Sequence, residues 1–215
     1  MCSFEDYLWP CTSEHSMKCT WEDHHAPDIT TPLSARTNSS PAPNILSYLG
    51  PRLSLSPPSD APSTYHIAQL CLTALDLSNE AHDTHHPIAV MQYYEDQKPA
   101  ALAKSTDFRT NRIPKFLSYF ERVLKGNVDE GKGKYLVGDK LTYADTTLWQ
   151  VLDGLKFAFP KEMEAREGEF VGLFGKEGFY QGVKEVKGIR EYLGSERRQK
   201  YSMGIYRYYA ELDRQ

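Results

Sequence analysis

The chain has 215 residues, 40% apolar and 25% charged, with a formal net charge of −4. That is the composition of an ordinary globular protein, long enough for one large domain or two small ones. No apolar run approaches the ~20 residues of a bilayer span, residues 1–10 lack the basic start of a secretory signal, and a near-neutral charge gives no electrostatic footprint for nucleic acid; a cytoplasmic chain is expected, with no membrane and no nucleic-acid partner.

Residues 1–62 hold nine of the thirteen prolines, three of the four cysteines (Cys2, Cys11, Cys19) and the whole charge imbalance, with seven acids against three bases. Such composition resists regular structure. With Cys71 the cysteines show no metal-ligand spacing and read as free thiols. The reading therefore separates a leader over residues 1–42, a short helix and linker over 43–62, and a helical body over 63–215.

In the body, Ile67, Leu70, Cys71, Ala74, Leu77 and Ala81 recur at i, i+3, i+4 and predict one long amphipathic helix within residues 63–96. Ile113, Phe116, Leu117, Phe120, Val123 and Leu124 predict a second, antiparallel to the first and stopping near Gly126 and Asn127. Pro87 and Pro114 are expected to kink or restart a helix. Thr142-x-x-Asp145 reads as a capping box in which the hydroxyl takes the amide of residue 145 and the carboxylate reaches back to the amide of Thr142. The helix it opens carries Ala144, Leu148, Val151, Leu152 and Leu155 on one face and should run through the middle of a bundle. Short amphipathic pieces over 161–174, 178–186 and 189–193 follow, then a tyrosine-rich tail.

The stretch from Pro43 to Leu53, the run from Gln69 to Asp83 and the segment from Tyr135 to Asp145 together resemble the second half of a cytosolic glutathione transferase. The resemblance implies a mainly all-α fold, the family's C-terminal helical bundle, preceded in residues 1–42 by a disordered or vestigial remnant of the thioredoxin-like domain. It implies glutathione as co-substrate, conjugated to an apolar electrophilic small molecule, with a possible homodimer and no metal. Tyr7, in Tyr7-Leu8-Trp9-Pro10, stands nearest the family's activating tyrosine. Asp76 or Asp83 matches the aspartate that reaches glutathione across the dimer interface. One departure bears on the chemistry. Pro41 and Ala42 stand where the family has a Gln-Ser or Gln-Thr pair that holds the γ-glutamyl carboxylate at a helix N-terminus. The alternative reading is a non-catalytic helical binding or scaffold domain of the same family.

Two further clusters stand out. His82, His85 and His86, with Glu80 nearby, are the densest group of metal-competent side chains, and His82 and His86 lie i, i+4; the glutamate that a zinc protease needs between them is absent, and the reading favours partly exposed helix histidines or pocket liners. The basic run at 196–200 reads as a solvated helix end.

Overall fold

The computed structural model describes residues 41–57 and 61–215, all of it helix, turn and loop. The expectations for Tyr7 and for a thioredoxin-like remnant fall on residues 1–40, outside the described residues. In chain order the helices are α1 (Ala42–Arg52), α2 (Pro62–Asp83), α3 (Lys98–Asp107), α4 (Ile113–Asp129), α5 (Tyr143–Ala158), α6 (Pro160–Glu167), α7 (Val171–Phe174), α8 (Phe179–Lys184) and α9 (Lys187–Leu193), with 3-10 turns at Tyr94–Gln97 and Ala210–Leu212. Among the described residues no helix is long and apolar enough to cross a membrane.

The apolar stripe of α2 is buried from Ile67 to Ala81, but the helix ends at Asp83 and does not continue to residue 96. Pro87 supplies the reason, since a proline ring strikes the carbonyl four residues back, here that of Asp83 itself. The chain turns there, with the Thr84 hydroxyl donating to the Ala81 carbonyl at 2.7 Å.

Next comes α3, which hydrophobic periodicity did not mark because its buried face holds only Ala101 and Ser105. A π-helical turn at Phe108–Arg112 joins it to α4 without a break. Pro114 stands in the first turn of α4, directly after the π-helical turn, where the α-helix resumes. The wider turn carries the backbone past the carbonyl its ring would otherwise meet and leaves Phe108 and Ile113 both in the core.

α4 passes through Gly126 and Asn127 and stops at Asp129, two residues beyond the expected end. Gly131, at φ 69°, closes it: the Gly131 amide donates to the Val128 carbonyl and the Lys132 amide to the Asn127 carbonyl, the paired bonds of a left-handed C-terminal cap. The Asn127 side chain then pins the following loop, donating to the carbonyls of Gly133, Tyr135 and Gly138 and accepting the Gly138 amide.

That loop delivers Leu136 to the head of α5. The capping box is present, and it is fully buried. Asp145 accepts the Thr142 amide at 2.7 Å, the Thr142 hydroxyl at 2.6 Å and the Leu136 amide at 2.8 Å. Burial pushes its carboxyl above the ordinary range, against these hydrogen bonds, which favour the ionised form. The Tyr143 amide donates to the Leu55 carbonyl, so the segment after α1 satisfies another donor of the same helix end. α5 buries ten of its sixteen residues.

Around α5 the other elements take their places. α2 packs most extensively against it, with Cys71 opposite Thr147. α2 and α4 run antiparallel: Gln69 meets Tyr119, and further along α2 Glu80 meets Arg112, earlier on the rod. Residues 201–215 lie back over the bundle. Tyr206 sits on Gly154, where a Cβ would strike its ring, and its hydroxyl donates to Ser78 at 3.0 Å. The fully buried Asp213 accepts the amides of Lys161 and Glu162 at the start of α6.

Two outcomes test this packing. Asp145→Ala strands two buried amides, so unfolding in urea should show a loss of about 3 kcal/mol. Glu162 is buried between Arg214 and Arg166; burial alone would push its carboxyl up, but the two guanidinium groups outweigh it and hold it below the ordinary value. A depressed folded pKa contributes stability above the unfolded value of about 4.3 that is lost as pH falls through the folded one. Glu162→Gln should therefore cost about 2 kcal/mol at pH 7, with the gap to the native chain closing below about pH 4 in denaturation curves taken across that range.

Candidate functional site

The resemblance in the sequence implies a glutathione carboxylate site at the N-terminus of α1. Pro41 is its N-cap and makes no side-chain bond. Pro41 and Pro43 have no amide proton, and the amides of Asn44 and Ile45 both turn to the Pro41 carbonyl, at 2.9 and 3.1 Å. A helix end binds an anion through its first free amides, and here only that of Ala42 remains. Asp76 and Asp83 stand on α2 with both side chains exposed. Asp83 lies 3.7 Å from His82 Nδ1.

A cavity of about 420 Å³ opens between α4, α7 and the turn before α8. Leu124, Val128, Val171 and Phe179 make its apolar walls, and Lys125 and Lys134 stand among its lining. Glu121 shapes it by accepting the amides of Gly172 and Leu173 at 2.7 and 2.8 Å, which caps a helix of only four residues. A volume of this size suits a small molecule.

The histidines gather where α2 ends. One ring nitrogen from each of His82, His85 and His86 lies within 4.8 Å of one from each of the other two. Ring centroids are 4.8 to 5.3 Å apart. The sequence pairs His82 with His86, but the turn after Asp83 brings His85 into the group as well. His85 is 1% exposed and His86 8%.

Their tautomers follow from their partners. His85 Nε2 donates to the Ile205 carbonyl at 2.9 Å, so Nδ1 carries a lone pair, and it makes no hydrogen bond. Gln97, 1% exposed, accepts the Ile88 and Ala89 amides on Oε1 and gives its two Nε2 protons to the carbonyls of Ala89 and Gln92. His86 Nδ1 lies 3.2 Å from that nitrogen, with the Gln92 backbone also beside the ring. His86 Nε2 is left buried and without a hydrogen bond. Burial pushes the His85 pKa down to about 3 and lowers those of His82 and His86, with Arg207 acting in the same direction.

Sequence reasoning did not identify Gln97 or the Ile205 carbonyl, because a glutamine within an acidic turn and a backbone oxygen 120 residues away carry no local signal. It also passed over Asp153, which gathers Tyr180, Tyr201 and Arg198 on α5 and holds α8 and the tail to the bundle.

No curated protein matches the chain. The family model described as "Glutathione S-transferase, C-terminal domain" matches residues 82–196, from the histidine cluster to the start of the tail. That match covers more than half of the chain and lies over α3 to α9, packed around the buried Asp145; the chain belongs to the glutathione S-transferase C-terminal domain family.

Proposed function

We propose that this chain is a non-catalytic helical binding domain of the glutathione S-transferase family, holding an apolar small molecule against its helices rather than conjugating glutathione. The observation that carries the reading is the head of α1, where two prolines and a carbonyl already taken up by the Asn44 and Ile45 amides leave a single amide for an anion. A γ-glutamyl carboxylate placed there would lose its water without gaining the charge-assisted bonds that offset the loss.

The binding function rests on the cavity between α4 and α7. Its apolar walls, Leu124, Val128, Val171 and Phe179, offer burial to an apolar body, while Lys125, Lys134 and Lys176 outnumber Glu121 and Glu177 in the lining and favour an acidic group on the ligand. Apolar area removed from water supplies the affinity, about 25 cal/mol per Å² before the cost of ordering the ligand.

Anilinonaphthalene sulfonate, apolar with one sulfonate, is a suitable probe. The expected results are fluorescence enhancement by the full chain, at least about 10-fold weaker binding in Val171→Asp, an exposed position at the cavity edge, and no conjugation of a generic electrophile above the glutathione blank. Conjugation above that blank, or a tight thermal shift by glutathione, would overturn the reading in favour of an active transferase.

A further inference from the structure

We propose that His82, His85 and His86 form a binding site for a divalent transition metal of the zinc class, with three imidazole nitrogens as protein ligands and the fourth position open. Nothing in the family reading requires this site, and it stands apart from the cavity between α4 and α7.

Two buried ring nitrogens, His85 Nδ1 and His86 Nε2, make no hydrogen bond. Buried polar atoms without partners are uncommon and costly, and two in one cluster point to a group that both would touch. The opposite nitrogen of each ring has a neighbour that orients it: the Ile205 carbonyl for His85 and the Gln97 side-chain amide, at 3.2 Å, for His86. The Asp83 carboxylate stands beside His82 Nδ1. Metal-bound histidines are held in this way, one nitrogen on the metal and the other donating to a carbonyl or carboxylate that fixes the tautomer.

Three imidazoles suit zinc, copper or nickel rather than magnesium or calcium, which take oxygen ligands. Around tetrahedral zinc, at about 2.0 Å from each nitrogen, the ligand atoms stand about 3.3 Å apart. The present separations, up to 4.8 Å, are wider than that, so the rings must turn toward the ion on binding, and His82, 14% exposed at its side chain, leaves the way in from solvent. Arg207 on the tail acts on all three rings; its positive charge opposes a dication there, and a hydroxide in the open fourth position would offset part of that repulsion. Pro87 and Gln97 fix the turn that brings the rings together, so the site is built into the fold rather than assembled by chance along one helix face.

The test uses the full chain, stripped with chelator and titrated with Co²⁺ and then Zn²⁺. The expected result is one Co²⁺ per chain, with the visible bands of tetrahedral cobalt and no thiolate charge-transfer band, displaced by one equivalent of Zn²⁺. His82→Gln and His86→Gln, each checked for helix content by circular dichroism, should weaken Co²⁺ binding by at least about 100-fold, whereas His66→Gln, at an exposed position on α2, should leave it unchanged. The native chain alone decides the first point, so a variant that fails to fold leaves the question open to measurement. No tetrahedral band, a thiolate band assigning the metal to Cys2, Cys11 or Cys19, or equal affinity in folded His82 and His86 variants would overturn the proposal.

Discussion

The Asp145 carboxylate is the constraint around which this protein is arranged. Burying a charge is unfavourable unless its lone pairs are filled, and here three donors from two places in the chain must converge on it: the amide and hydroxyl of Thr142 and the amide of Leu136. Their convergence fixes where α5 starts and how the preceding loop enters. Gly131 stops α4 and Asn127 holds the loop that follows, so the end of one helix and the head of the next are parts of one hydrogen-bonded corner. Once α5 is oriented, its buried face decides the positions of α2, α6 and α8, and the segment after α1 docks on its first amide.

The C-terminal tail closes what α5 leaves open. Tyr206 lies on Gly154, a glycine whose helical cost of about 1 kcal/mol relative to alanine is offset by the ring that packs over it. Tyr209 stacks on Tyr94 at 3.8 Å between centroids, and the Tyr94 hydroxyl donates to Glu211. Asp213 caps α6. The same tail presents the Ile205 carbonyl to His85, so docking of the last fifteen residues and the tautomer of a buried histidine are coupled. A ligand that prefers that tautomer would favour the docked tail to the same degree.

At α1 the chain departs from the glutathione site that its resemblance implies. The helical domain is intact around Asp145, but the residues that would face an anion at the head of α1 are prolines and an alanine. Fold and site are separable in this way because the core is held by burial over many residues, whereas an anion site depends on a few donors whose replacement leaves the core untouched.

The sequence by itself determined the helices with strong apolar stripes, α2, α4 and α5, and the start of α5, because the 3.6-residue period and a capping box are written within a few consecutive residues. It also marked the end of α2, although reading Pro87 as a kink placed the stop too late. α3 left little trace, since a face of alanine and serine buries no distinctive pattern. Tertiary structure alone decided that the rod runs through Pro114 by a π-turn, that the tail packs on Gly154, and that three histidines meet with two nitrogens facing no partner. The tail contacts among them, Tyr206 to Ser78 and the Ile205 carbonyl to His85, join residues 128 and 120 positions apart, and no local period encodes them: they arise only when separate helices have chosen their neighbours.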